Sequence, residues 1–144
     1  MLSLLFSLSI GQDPPPGFEF HNSYCGSHDY CVAFYFAMEG VYLHGNPLES
    51  DDWVGAFNGD VCVGSRLWDT SLCGGGICDI PANGDDGSSY SNGYLYPGDI
   101  PTFKIFDASS GNIYDTVISE PIEPFWSSNL SLIYSPIEGG VLGC

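Results

Sequence analysis

The sequence predicts an all-β fold: a two-sheet antiparallel sandwich, jelly-roll or immunoglobulin-like, with an extended N-terminal strand. Nineteen glycines and ten prolines interrupt short runs rich in Val, Ile, Phe and Tyr, as is typical of strands joined by turns. No long window keeps the helical period of apolar residues without a Gly or Pro. A chain of 144 residues suits one domain with its own core.

The strands follow in order along the chain. They are expected at 17–21, 31–38, 41–43, 53–57, 61–66, 102–107, 113–118 and 130–134. Asn58-Gly59 predicts a hairpin, since both residues tolerate the positive φ of a tight turn. Residues 109–112 predict a second hairpin. Residues 69–100 are expected to form a long irregular excursion, because Gly, Asp, Ser and Tyr dominate it.

Residues 1–10 are predicted to be a donor strand, which completes the sheet of a neighbouring copy. Three of their five odd positions are serine, whereas every even position is apolar: Leu2, Leu4, Phe6, Leu8 and Ile10. A strand with this alternation has one apolar and one more polar face. Residues 11–16 are a Pro-rich arm, and residues 17–144 form the sandwich domain. Two alternatives stay open: a signal-peptide segment and an ordinary strand of the chain's own sheet.

The charge of the chain excludes several partners. The chain has eighteen acidic residues and two basic ones, Arg66 and Lys104, which gives a net charge of -16. Nucleic acids and anionic membranes require basic surfaces, so neither is expected to bind. No apolar run is long enough for a membrane span. The acidity favours divalent cations and an extracellular setting.

Six cysteines indicate an oxidising compartment. Short loops favour Cys25–Cys31 and Cys73–Cys78, which leaves Cys62 for Cys144. An intermolecular bond through Cys144 stays open. A zinc site is disfavoured, because no Cys-x-x-Cys pair occurs and the three histidines are scattered.

A calcium site is the first candidate for a cofactor. Four oxygen-bearing side chains lie within eight residues of a Gly-rich stretch: Asp79, Asn83, Asp85 and Asp86. Calcium takes several carboxylate and carbonyl ligands on a bendable backbone. Asp51, Asp52 or Asp69 could add ligands from a neighbouring loop. The alternative is a solvated acidic turn, since the spacing does not match an EF-hand.

Two features of the sequence relate to glycans: a glycosylation triplet and aromatic side chains that could bind sugars. Asn129-Leu130-Ser131 is an N-glycosylation triplet, although such triplets also arise by chance. Aromatic side chains could stack on bound sugars, with Tyr90, Tyr94 and Tyr96 as surface candidates. Trp53, Trp68 and Trp126 offer the same chemistry, but tryptophan more often fills a core.

An enzyme is not expected, and no catalytic residue is assigned. The Gly-x-Ser-x-Gly elbow of serine hydrolases does not occur. Nothing in the sequence places a histidine beside a serine and an acid. A glycosidase carboxylate pair stays open among eighteen acids, yet a chain of this length supplies little room for a cleft.

One stretch carries a resemblance to a known module. It reads DDWVGAFNGDVCVGSR over 51–66, followed by WDT, CGGGICD, GDDG and GDIPTFKI up to residue 105. The resemblance also reaches back to FEF at 18–20 and AFY at 33–35, so it covers most of residues 17–134. This stretch resembles a module of large secreted or surface proteins of aquatic bacteria. The resemblance implies an extracellular β-sandwich without assigned catalysis. Two features depart from it: the added Cys25 and Cys31, and a single module where relatives are often multi-domain.

The expected function is that of a structural subunit in an extracellular filament. Each copy would insert residues 2–10 into the next sandwich, a layout similar to donor-strand pilus subunits. Because such a contact is heterologous, it gives an open helical homopolymer. The alternative is a secreted or cell-surface, calcium-dependent carbohydrate-binding module that serves in adhesion.

Overall fold

The computed structural model describes residues 13–24, 31–126 and 129–140, and it confirms an all-β, two-sheet sandwich. In these three ranges there is no α-helix; short 3₁₀ turns lie at Thr70–Leu72, Gly74–Gly76 and Ser89–Ser91. The strands are β1 Val32–Ala37, β2 Val41–Leu43, β3 Asn46–Pro47, β4 Trp53–Asn58, β5 Val61–Leu67, β6 Asp79–Asn83, β7 Thr102–Asp107, β8 Asn112–Ile118, β9 Leu130–Ile133 and β10 Ile137–Gly139. No helix in the described ranges is long and apolar enough to cross a membrane.

The strands form two mixed sheets. The larger has seven strands in the order β3-β2-β10-β8-β7-β4-β5, and the smaller has three in the order β6-β1-β9. Most strand pairs are antiparallel, as predicted, but β1 pairs in parallel with β9 and β2 in parallel with β10, so both sheets are mixed. In the chain, β1 leads into β2 and β9 leads into β10. The two chain segments that pair as β1 and β9 in the small sheet therefore pair again as β2 and β10 in the large sheet.

The main core fills the space between the sheets. Val54, Val63 and Ile105 of the large sheet are fully buried there, as is Tyr35 of β1. The ring of Tyr35 lies 5.7 Å from that of Phe103, and its hydroxyl donates to the carbonyl of Glu123 at 2.9 Å. Removal from water raises the pKa of Tyr35 well above its ordinary value. The phenol therefore acts as a neutral donor within the core.

Both predicted hairpins are present, but the first turn is formed by Gly59 and Asp60, because Asn58 ends β4, pairs with Val61 and does not have a positive φ. Gly59 has φ of 61° between β4 and β5, which is the left-handed conformation that the turn demands. Residues 108–111 join β7 to β8. The carboxylate of Asp107 accepts hydrogen bonds from the hydroxyls of Ser110 and Ser109, and these bonds lower its pKa. Local side-chain bonding therefore fixes the second turn.

The small sheet is held against β5 by close contact and by side-chain bonds. A Cβ added to Gly64 would lie 1.8 Å from the carbonyl oxygen of Pro81, so only glycine allows this approach. The amide of Asn83 donates to the carbonyl of Val63 at 2.8 Å. The guanidinium of Arg66 pairs with Asp79 at 2.8 Å. These contacts fix the position of β6 relative to the large sheet.

Four strand assignments differ from the sequence analysis, among them the short strands β3 and β10, which were not predicted. Residues 17–21 are not a strand, because the N–H of Phe18 donates to the carbonyl of Pro15 and closes a turn. The excursion over 69–100 is not wholly irregular, since it contains β6. Pro81 lies within β6 and supplies no N–H, and this obscured the strand in the sequence.

Candidate assembly surface

An anchor segment, residues 13–24, leads from the N-terminal region into the domain. Its main contact is Phe18, which is fully buried on the outer face of the large sheet. The ring of Phe18 lies 5.4 Å from that of Phe57 and 6.2 Å from that of Phe106. A Cβ added to Gly55 would lie 2.9 Å from the Phe18 ring. Gly55 therefore leaves the socket that Phe18 fills.

Hydrogen bonds hold the rest of the anchor segment. The hydroxyl of Ser65 donates to the carbonyl of Phe18 at 2.9 Å. Further along, the N–H of His21 donates to the hydroxyl of Tyr94, and the N–H of Ser23 donates to the side-chain oxygen of Asn83. These bonds fix the anchor segment to its own domain. They therefore also fix the point on the domain surface at which the segment begins.

That place is a cleft at one end of the small sheet. Pro14 lines the cleft together with Phe36, whose side chain lies on the outer face of β1. The Pro-rich arm therefore reaches the domain beside the outer face of the small sheet. Residues 1–12, including the whole predicted donor strand, lie outside the described residues.

Among the described strands, β9 lies at the edge of the small sheet. Its one described neighbour is β1, and within the described ranges no strand pairs with its other side. Alternate side chains from β9 and the residue after it point outward and are exposed: Leu130 by 50%, Leu132 by 39% and Tyr134 by 62%. An exposed apolar edge strand is a template for another strand, and proteins normally protect it.

The outward side chains of β1 extend this surface. In the parallel register Phe34 lies beside Leu130, and Phe36 lies beside Leu132. Phe34 is 38% exposed. We call Phe34, Phe36, Leu130, Leu132 and Tyr134 the apolar face. A continuous patch of this kind marks an interaction site in a soluble domain.

The apolar face carries little charge in a chain of net charge -16. Among the described strand residues that point to this side of the small sheet, Asp79 is the one acid, and it is paired with Arg66. The predicted donor segment, residues 1–10, likewise contains no Asp, Glu, Lys or Arg. Two such surfaces can meet without the repulsion that opposes contact elsewhere on two copies.

The inward side of β9 holds an unsatisfied group. Ser131 is 3% exposed, and its hydroxyl has no hydrogen-bond partner among the residues that the structure describes. A buried hydroxyl without a partner is costly, and native structures contain few of them. A strand added beside β9 would bring its own side chains next to Ser131.

The four predicted calcium ligands are not assembled into one site. Asp79 pairs with Arg66, and Asn83 is fully buried with its amide bonded to Val63. Asp85 and Asp86 remain together, because the hydroxyl of Ser91 lies within 3.1 Å and 2.7 Å of their carboxylates. In the described part of the chain no three His, Cys, Asp or Glu side chains are placed to hold a metal ion. Calcium binding stays a prediction.

The two neighbouring acids also have structural partners. The N–H of Tyr24 donates to Asp86 at 2.8 Å, and with the bonds from Ser91 and Ser88 it lowers the pKa of Asp86 well below its ordinary value. The N–H of Gly87 and the hydroxyl of Tyr96 lower the pKa of Asp85. Asp52, a suggested additional ligand, is buried and accepts hydrogen bonds from the N–H groups of Glu49 and Ala108.

The disulfide predictions have separate outcomes. Cys73–Cys78 is confirmed as a bond. Cys31 is also disulfide-bonded, but Cys25 lies outside the described residues. The predicted disulfide between Cys62 and Cys144 is wrong, because Cys62 is a free, buried thiol. Its sulfur lies in the apolar cluster of Phe18, and burial raises the pKa of Cys62 to about 11.

The remaining candidates are divided between surface and core. Asn129 is exposed, so its glycosylation stays a prediction. Trp53, Trp68 and Tyr94 are buried and cannot stack on a sugar as isolated surface rings. Two tyrosines of the long loop stay exposed: Tyr90 by 39% and Tyr96 by 60%.

Sequence reasoning did not identify the apolar face or the role of Phe18. The alternation of Leu130, Leu132 and Tyr134 was visible, but the sequence did not show that β9 lies at an edge. The pairing of β1 with β9 joins residues that are far apart in the chain.

No protein family, curated protein or solved structure matches this chain. The resemblance to a secreted bacterial module therefore stays a prediction.

Proposed function

We propose that the protein is the structural subunit of an extracellular filament, in which residues 2–10 of one copy add to the β9 edge of the next. The observation that carries this proposal is the exposed, nearly uncharged apolar face on the outer side of β1 and β9, with β9 the last strand of the small sheet in the described ranges. β-Strand addition supplies backbone hydrogen bonds, and alternate side chains supply specificity.

The alternation of the donor segment matches the two sides of β9. Leu2, Leu4, Phe6, Leu8 and Ile10 would lie on the outward side, next to Leu130, Leu132 and Tyr134. The odd positions would then face inward, where a serine hydroxyl can pair with Ser131 and Leu5 can pack beside Ile133. Both the apolar rows and the unsatisfied hydroxyl find suitable partners in this arrangement.

The energy of such a contact has two sources. Full burial of five large apolar side chains would contribute on the order of 7–15 kcal/mol before the cost of ordering the segment. On the outer face only the surface in contact with Leu130, Leu132 and Tyr134 is covered, so the side chains supply a fraction of that sum and backbone hydrogen bonds to β9 supply the rest. The anchor segment reduces the cost of ordering the donor segment, since Phe18 fixes the base of the arm. Pro14, Pro15 and Pro16 keep the arm extended and hinder a sharp return.

Electron microscopy of charge variants tests this proposal. Phe6→Asp and Leu8→Asp on the donor segment, and Leu132→Asp on β9, should each abolish filaments while the domain stays folded by circular dichroism. Gln12→Asp and Val117→Asp are the matched controls. Gln12 lies beyond the alternating run, and Val117 is 53% exposed on the large sheet. Filaments in the first three variants would refute strand addition at β9.

A further inference from the structure

A cleft lies beside the apolar face and shares Phe36 with it, and Pro14 of the anchor segment also lines it. Its volume is about 560 Å³, within the range of small-molecule sites. Its walls come from the anchor segment, the end of the small sheet, β4, β5 and the disulfide loop. Cys73–Cys78 fixes that loop, so one wall of the cleft is covalently held.

The lining combines aromatic surface with a few polar groups. Phe20 and Phe36 supply the aromatic walls, Trp53 reaches the cleft only through the 7% of its surface that is exposed, and Leu72, 71% exposed, lies at the rim. Arg66 contributes the guanidinium. Its Nε and Nη2 donate to Asp79, while its Nη1 donates to no group in the described ranges. Asp69 accepts hydrogen bonds from Ser71 through Oδ1, and in the same ranges Oδ2 accepts none.

The charges of the lining select among ligands. Asp79 offsets Arg66, and Asp69 adds a negative charge in a chain of net charge -16. An anion would therefore be repelled. A cation would find one unbonded carboxylate oxygen in the described lining, Oδ2 of Asp69, and would leave the free Arg66 donor unused. A neutral ligand with an apolar face can pack against the aromatic walls. Its hydroxyl groups can accept a hydrogen bond from Nη1 of Arg66 and donate one to Oδ2 of Asp69. We infer that the cleft binds a neutral pyranose sugar, independently of calcium and of filament assembly.

Nuclear magnetic resonance titration of the full-length chain with the methyl glycosides of glucose, galactose and mannose tests this inference. At least one of these sugars should cause saturable shifts at the Trp53 indole and the Arg66 guanidinium. Arg66→Lys keeps the charge opposite Asp79 but loses the fork of donors, so it should weaken binding at least tenfold. Asp69→Asn should also weaken binding.

Asp60→Asn is the matched control, because Asp60 is exposed and does not line the cleft. It should bind as the unaltered protein does. Three outcomes would overturn the inference: no saturable shifts with any of the sugars, shifts confined to Tyr90 and Tyr96, or equal binding by Arg66→Lys. None of them bears on filament formation, which is scored separately by microscopy.

Discussion

Substitution of Phe18 by alanine removes the main contact of the anchor segment. The ring is fully buried against Phe57 and Phe106 over the backbone of Gly55. Phe→Ala substitutions at such sites cost about 3–5 kcal/mol, because they lose buried area and leave a cavity. For a chain of this size, such a loss corresponds to a fall in melting temperature of ~10 °C.

Denaturant unfolding and hydrogen exchange together measure this effect. If the anchor segment detaches alone, exchange should rise across residues 13–24 and the global loss should stay at the lower end of the range. If the segment and the sheet unfold together, the full loss should appear in the denaturant midpoint. A loss below about 1 kcal/mol with unchanged exchange would refute the role of Phe18 as the anchor.

Gly55→Ala provides an independent check on the same socket. Its Cβ would lie 2.9 Å from the Phe18 ring and 2.8 Å from the Phe57 ring, so the substitution should destabilise the protein by overpacking. In the presence of Phe18→Ala, part of that clash disappears. The two substitutions should therefore be non-additive by about 1 kcal/mol or more. Strict additivity would show that the two groups do not meet.

Three further predictions concern other parts of the molecule. Native Cys62 should resist thiol reagents at pH 8, since burial raises its pKa to about 11; rapid labelling mapped to Cys62 by peptide mass spectrometry would contradict this. The Tyr24–Asp86 hydrogen bond should be intact above the ordinary aspartate pKa of about 3.9 and weaken as the pH falls through the lower folded value. A Tyr24 amide resonance that titrates at the ordinary aspartate pKa would contradict that. Filament assembly should accelerate with salt, because copies of net charge -16 repel one another; rates independent of ionic strength would exclude repulsion as the barrier.

Local patterns predicted much of the fold. Asn58-Gly59 identified the first hairpin, and residues 109–112 identified the second, because turn chemistry depends on a few adjacent residues. The Cys73–Cys78 bond was predictable for the same reason, since its loop is short. The two-sheet architecture followed from many short strands separated by turns.

The candidate surface depends on long-range pairing, which the sequence did not reveal. The parallel neighbours β1 and β9 are separated by most of the domain, and the position of β9 at an edge appears only once all strands are placed. Cys62 was misassigned because the partner was chosen by elimination, whereas packing against Phe18, Trp53 and Phe57 decides its environment. Two of the four predicted calcium ligands, Asp79 and Asn83, bond to β5 in the described structure, a long-range contact that the sequence did not reveal, and calcium binding stays a prediction.

The most direct test of strand donation mixes two variants with complementary defects. Leu8→Asp leaves the β9 edge intact but disables the donor segment, whereas Leu132→Asp leaves the donor segment intact but disables the edge. Either variant alone should remain monomeric in mass photometry. An equimolar mixture can form a single intact junction, so we expect capped dimers and nothing longer. Long filaments in the mixture, or the absence of dimers, would contradict strand donation from residues 2–10 to β9.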